Sequence, residues 1–246
     1  MTGPPQLRDL GRVGYLEAWQ AMKEFTARRD DATADELWLV EHPAVYTLGQ
    51  AARREHLHLA GAVAAGAIPV IATDRGGQVT YHGPGQVVVY TLIDLRRAGF
   101  FVRELVYRIE ESVIQTLEQY DLVGVRIRGA PGVYVRSARP ADAPNVEPRF
   151  AGLAKIAALG IKVHRGCSYH GVALNVAMDL GPFAAIDPCG YRGLAAVDLA
   201  TLGVRTDWRT SAQRLTERLG AHLAPAGRAA AEQSRALRAD PVAGNG

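Results

Sequence analysis

A chain of 246 residues, 48% hydrophobic and 22% charged, holds material for one large or two small domains and for a sizeable core, which excludes wholesale disorder, a collagen-like repeat and a disulfide scaffold. A net charge of +3 permits an acidic partner, but the arginines are scattered and form no basic stripe, so nucleic acid is not an expected ligand. No apolar run approaches the roughly 18 residues of a membrane span, and the opening Met1-Thr2-Gly3-Pro4-Pro5 has no basic region followed by an apolar one; neither membrane insertion nor a secretory signal is expected, and a cytoplasmic location is.

The first residues read as a short leader, loose until Leu7. Leu16, Trp19, Met22 and Phe25 recur near helical spacing and predict an amphipathic helix over 15–29. Residues 36–40 are strand-like, Pro43 breaks the chain, and 44–48 resume a β pattern. A loop or short helix is expected over 51–68, a short buried strand over 69–73, a glycine-rich loop over 76–85 and a long strand over 87–95. Val102, Leu105, Val106, Ile109, Val113, Leu117 and Tyr120 repeat at three- and four-residue steps, the strongest helical signal in the chain. Strands are expected over 123–127 and 132–136, then a mobile loop over 137–150. β-structure over 152–163 and 171–178 and a polar helix over 211–222 close the fold. The tail from 225 onward lacks a sustained apolar face and is expected to be disordered. Helices spread among more numerous strands predict a single mixed α/β (α+β) domain.

Four segments could carry chemistry. In Arg75-Gly-Gly-Gln-Val-Thr-Tyr-His-Gly-Pro-Gly-Gln86, four glycines let backbone approach a ligand closely; the alternative is a hairpin with glycine turns. The segment lacks both the Lys-Ser/Thr ending of a phosphate loop and the GxGxxG spacing of a dinucleotide site. Only three of the 28 basic residues are lysines, Lys23, Lys155 and Lys162, so each is easy to weigh. Lys155 opens the apolar run Lys155-Ile-Ala-Ala-Leu-Gly160. It is either a snorkelling surface side chain or a buried base.

His164, Cys167 and His170 stand three apart, which raises zinc; a structural site wants four ligands and only Cys189 could complete it. Asn175, in the apolar run that follows, must find hydrogen-bond partners if buried. Cys189 sits between Pro188 and Gly190, on a tight turn rather than in a core strand. Such turns present nucleophiles at active-site rims, although a core thiol is the alternative. A disulfide between the two cysteines is not expected in a reducing compartment.

Taken in order, Glu41-His-Pro-Ala-Val-Tyr-Thr-Leu-Gly49, residues 75–86, 155–160 and 170–175, and Pro188-Cys-Gly190 closely resemble the octanoyltransferases, or lipoyl(octanoyl) transferases. The resemblance runs over about 7–222 and marks that stretch as the catalytic domain, with 1–6 and 225–246 as flexible tails. It implies a fold similar to the catalytic domain of biotin– and lipoate–protein ligases, with helices packed on a curved mixed sheet. The implied activity is transfer of an octanoyl (or lipoyl) group from acyl carrier protein to a lysine of lipoyl-dependent proteins: the lipoyl domains of 2-oxoacid dehydrogenase E2 subunits and the glycine cleavage H protein. It implies no cofactor and suits a monomer. Carried over by position, the nucleophile falls on Cys189 and the lysine that activates it on Lys155. The substrate-contacting segments fall on Arg75, Gly76, Gly77, Gln78, Val79, Thr80, Tyr81 and His82; on Ala158, Leu159 and Gly160; and on Gly171, Val172 and Ala173. A long 137–150 loop and an extra tail depart from the pattern without touching these motifs.

The chemistry is consistent with that role. The donor is a thioester, so relay through a second thioester is nearly balanced in energy, and no ATP is needed. A free thiol carries only a few per cent thiolate at neutral pH, and a neighbouring lysine can favour the thiolate or take its proton. The lysine can then accept a proton from the incoming amine. Small residues at Gly160, Gly171 and Ala173 are expected to leave room for the acyl chain. The rivals are an ATP-dependent lipoate or biotin ligase on the same fold, a non-catalytic module that holds a lipoylated protein, and a zinc-binding structural protein.

Overall fold

The computed structural model describes residues 3–58, 68–137 and 146–225. In chain order its elements are β1 (Gln6–Arg12), α1 (Tyr15–Arg28), β2 (Glu36–Glu41), β3 (Val45–Leu48), β4 (Val70–Ala72), β5 (Val79–His82), β6 (Gln86–Leu92), α2 (Leu95–Ala98), α3 (Val102–Glu118), β7 (Val125–Ile127), β8 (Ala130–Arg136), β9 (Leu153–His164), β10 (Cys167–Asn175), β11 (Ala195–Ala196) and α4 (Trp208–Leu223). The larger sheet runs β1-β2-β6-β10-β9-β8-β7, and β11 pairs with β9; a smaller sheet runs β4-β3-β5. Both sheets are mixed: β1 is parallel to β2, β11 to β9 and β3 to β4, and the other pairs are antiparallel.

The two-residue period of a strand explains how helices come to lie on both faces of the larger sheet. Every residue of β6 is buried. Val87 and Val89 face a core with Leu105, Ile109, Val113 and Leu117 of α3 and Leu215, Leu219 and Leu223 of α4. Val88 and Tyr90 face the other way, toward Ala18 and Met22 of α1, together with Trp38, Val40 and Ala173. A strand covered on both sides reads as an unbroken apolar run, as this one does. Each fully buried leucine or isoleucine contributes about 1.5–3 kcal/mol. The helices are closed by local chemistry: the Asp207 carboxylate accepts from Thr210 N at 2.8 Å at the start of α4, and Asp94 caps α2, whose end turns at Gly99 with φ 76°. Such caps stabilise by about 1 kcal/mol.

Several expectations are corrected. The leader is not loose to Leu7: Pro5 is buried, and Gln6 N donates to Asp35 O at 2.8 Å as β1 starts its parallel register with β2. The 69–73 strand exists but is not buried, with Val70 and Ala72 exposed, because it lies at the edge of the small sheet. The 76–85 loop contains β5, paired residue for residue with β3. The 87–95 strand stops at Leu92, and Leu95 already begins α2. The second β segment starts earlier, at Cys167, and ends at Asn175. The polar helix is amphipathic and longer, starting at Trp208. Of the 137–150 loop, residues 138–145 lie outside the described residues, but 148–150 form a 3-10 turn that buries Phe150 against Tyr134 and Tyr191. The expected disorder of the tail falls on residues that, from 226 on, also lie outside those described. Among the described residues no helix is long and apolar enough to cross a membrane.

Candidate active site

The α1 face of the large sheet and the small sheet together wall an open, largely apolar cleft. Strand β9 delivers Lys155 to it. Lys155 is 4% exposed, which removes the snorkelling alternative. Its Nζ donates to Pro131 O at 3.0 Å and lies 2.7 Å from Cys189 Sγ. The Tyr134 ring sits 5.4 Å beneath it, within cation–π range.

Room for this lysine comes from Gly132. Its φ is +130°, and a Cβ there would lie 2.6 Å from Ala157 O, 2.7 Å from Lys155 Cε and 2.9 Å from Nζ. Gly132 N in turn donates to Glu110 Oε1 at 2.9 Å, and Arg126 Nε lies 3.3 Å from the other oxygen. Burial pushes the Glu110 carboxyl up against the opposing pull of the Gly132 N–H and Arg126. Gly132→Ala is therefore expected to destabilise the fold by about 1–3 kcal/mol through backbone strain and, by dislodging Lys155, to slow catalysis at least about tenfold. A thermal melt and a single-turnover rate check the two effects separately.

Cys189 lies in a 3-10 turn, Pro188–Gly190, with φ 57° and ψ 17°. A side chain in the left-handed region costs about 1–2 kcal/mol, and the fold holds it there: Gly190 N bonds Asp187 O at 2.8 Å and Tyr191 N bonds Pro188 O at 3.2 Å. Strained turns of this kind cluster at functional sites. Gly190 beside it is left-handed as well, with φ 78°. Just before it, buried Asp187 receives His56 Nδ1 at 3.1 Å and His58 Nε2 at 3.0 Å on the same oxygen. Cys167 lies elsewhere, buried where β10 starts and bridged to Asp94; burial pushes its thiol up.

Of the predicted segments, Arg75, Gly77, Gln78, Val79, Thr80, His82, Ala158, Leu159, Gly160, Gly171, Val172 and Ala173 line the cleft with Lys155 and Cys189. Gly76 and Tyr81 do not. Gly76 N is spent on Ile161 O, and Tyr81 packs under the small sheet on Tyr46 and Phe183. Arg75 is buried, with its guanidinium given to Thr47 and to Gly76 O; burial pulls its pKa down. It therefore braces the glycine-rich loop as well as walling the cleft. The small residues at 160, 171 and 173 line the cleft, and the two glycines among them also make room for backbone. A Cβ on Gly160 would meet Gly76 O at 2.8 Å, and one on Gly171 would meet Val89 O at 2.0 Å. These glycines admit neighbouring backbone, the 75–77 loop and β6.

Tyr15, Tyr90, His170, Asn175 and Phe183, which lie outside the predicted substrate-contacting segments, also belong to this wall. Asn175 finds the partners its burial requires: Gln86 Nε2 donates to its Oδ1 at 2.9 Å, and its Nδ2 donates to Val197 O at 2.9 Å. His170, with φ 61°, bonds Asp74 Oδ1 through Nε2 at 2.8 Å, while Nδ1 is buried without a hydrogen-bond partner among the described residues. Burial works against ionisation of Asp74, but hydrogen bonds from His170, Tyr169 and Trp19 prevail and hold its carboxyl well below the usual range. Burial also keeps His42 and His82 neutral, lowering them to about 4 and about 3. The zinc alternative loses its ligand set: His170 turns to Asp74 and Cys167 to the α2 end of the sheet, and no three His, Cys, Asp or Glu among the described residues could hold a metal ion.

Residues 14–217 match the family model described as the lipoyl protein ligase A/B catalytic domain. An octanoyltransferase from Polaromonas naphthalenivorans is 58% identical over 224 residues, covering 89% of this chain and 98% of its own length. Two solved structures share the fold. The first is from a study of a bipartite lipoate protein ligase and its E2 lipoyl domain from Thermoplasma acidophilum (TM-score 0.68, 15% identity, 96% of this chain and 91% of that one). The second is the Aquifex aeolicus biotin protein ligase in complex with biotin and ATP (TM-score 0.51, 12% identity, 89% of this chain and 70% of that one).

Proposed function

The chain belongs to the lipoyl protein ligase A/B catalytic-domain family and, with the octanoyltransferases, is an acyltransferase of lipoate biosynthesis; from that premise we propose that it works through an octanoyl thioester on Cys189, with Lys155 as its proton partner. The observation that carries this reading is the Lys155 Nζ to Cys189 Sγ contact of 2.7 Å in the wall of a largely apolar cleft. The ammonium stabilises the thiolate, the reactive form of a cysteine. The thiolate attacks the donor thioester, and Lys155 gives its proton to the departing carrier thiol. The second step reverses the flow: the acceptor amine attacks, Cys189 leaves as thiolate, and Lys155 recovers a proton. Because one thioester replaces another, the donor arrives activated.

The donor is octanoyl-acyl carrier protein. The acceptors are the lipoyl domains of E2 subunits and the H protein, each presenting a lysine to a monomeric enzyme. The catalytic unit is taken as 7–222 together with Gln6, the first residue of β1; the family match over 14–217 supports that extent. The substrate-contacting residues are those of the predicted segments that line the cleft.

The test is intact mass. Mixed with octanoyl carrier protein, without acceptor, ATP or Mg²⁺, the protein gains one octanoyl group in a hydroxylamine-labile bond. An adduct that requires ATP, or acceptor octanoylation that does, would favour the ligase reading instead.

A further inference from the structure

Proton bookkeeping in the proposed reaction leaves one proton without a place. At neutral pH the acceptor lysine is an ammonium and must shed two protons to become an amide nitrogen. Loading of Cys189 moves one proton from Lys155 to the carrier thiol. Discharge can return one proton to Lys155, which then pairs again with the departing thiolate. The ammonium's other proton needs a second base beside the sulfur and open to solvent.

The His56 imidazole, packed against Gly190 in the turn that carries Cys189, is placed for that role. Residues 56–58 form a strap that pairs with the residues just before the nucleophile: His58 N bonds Ala185 O at 2.8 Å, Asp187 N bonds His56 O at 3.0 Å, and Leu57 bridges Ile186. The strap sets His56 Nδ1 at 3.1 Å from Asp187 Oδ2. A carboxylate only accepts, so Nδ1 carries the ring proton and Nε2 keeps its lone pair, the tautomer a general base requires. Nε2 faces the turn. A Cβ on Gly190 would come within 3.1 Å of it, with Gln78 Cγ at 3.4 Å, so the missing side chain at Gly190 keeps the space between the imidazole and the Cys189 turn open. Glu55, exposed, has its Oε1 3.7 Å from Nε2, beyond hydrogen-bond length. The His56 side chain is 14% exposed, enough to hand a proton to water.

We infer that His56, oriented by Asp187, is the base that takes the first proton of the acceptor ammonium, a role that rests on Cys189 carrying the acyl group. The resulting amine attacks the octanoyl carbonyl. The C–N bond forms, the C–S bond to Cys189 breaks, the second amine proton goes to Lys155, and His56 releases its proton to solvent. His56 is thereby idle during loading and needed only for discharge to a charged amine.

The experiment uses preformed octanoyl-enzyme, wild type and His56→Gln, discharged either to a lipoyl domain or to hydroxylamine. Hydroxylamine is largely neutral at neutral pH and sheds a single proton, which Lys155 can take. The variant should load at the wild-type rate and discharge to hydroxylamine at the wild-type rate, yet discharge to the lysyl acceptor about 10²-fold more slowly, the scale of a lost general base. Asp187→Asn should show the same split, more weakly. An equal fall with both nucleophiles, or slowed loading, would reduce the strap to holding the turn and overturn the inference, as would undiminished discharge to lysine. A wild-type enzyme that never acquires the acyl group would instead remove the Cys189 reading, and this inference with it.

Discussion

Cys189→Ser should lose the octanoyl adduct and at least about a thousandfold of the transfer rate, the scale on which a missing nucleophile is felt. The thiolate is the attacking species. A serine hydroxyl beside the Lys155 ammonium has no comparable anionic form at neutral pH, and an oxyester would be a poorer acyl donor to an amine. The backbone should tolerate the change, because serine enters the same left-handed turn, φ 57°, with a smaller atom. Cys167→Ser is the internal comparison. Cys167 is 5% exposed and pairs with His164 and Asp94 at the far end of β10, outside the cleft, so this variant should keep the adduct and most activity. Mass spectrometry of both variants after exposure to octanoyl carrier protein reads the outcome. An adduct that maps to Cys167, or wild-type transfer by Cys189→Ser, would mean that the thiol relay has been assigned to the wrong turn or does not exist.

The elements legible in the sequence were those whose burial writes a period into it. Leu105, Ile109, Val113 and Leu117 are all fully buried, and their spacing alone placed α3. β1 was illegible because it lies at the sheet edge with almost every residue exposed; its pairing with β2 supplies what propensity does not. β5 was hidden by the glycines around it, which mark turns and loops more strongly than Val79, Thr80 and Tyr81 mark a strand.

The site divides in the same way. Cys189 and Lys155 each broke a local rule, a thiol between Pro and Gly and a cation in an apolar run, and so stood out singly. Gly132, His170 and His56 broke none. Gly132 matters only because Lys155, 23 residues further on, needs the volume of its absent side chain, and His56 only because Asp187 arrives from 131 residues away. Such convergence is tertiary and leaves no local trace. The glycines at 160 and 171 show the converse: their smallness was evident in the sequence, but the backbone they admit was not.

Lys155 separates charge from proton transfer. Lys155→Ala should lower transfer by about 10²–10⁴-fold, the range of a missing acid–base group, and leave Pro131 O facing the cavity it vacates. Lys155→Arg should fail nearly as far, although it keeps a cation. A guanidinium stays protonated throughout, so it can pair with the thiolate but can neither give a proton to the departing carrier thiol nor take one back from the acceptor. Lys23 and Lys162 are the controls, one exposed on α1 and the other half-buried on β9 away from the sulfur; alanine at either should leave the rate within about twofold, as surface substitutions usually do. Loading and discharge rates, measured separately, carry the argument further than the overall rate. A lysine that served only as a fixed charge would let Lys155→Arg load and discharge like wild type, whereas a lysine that moves protons makes both half-reactions slow. If Lys155→Ala and wild type perform equally, the 2.7 Å contact has no part in the chemistry.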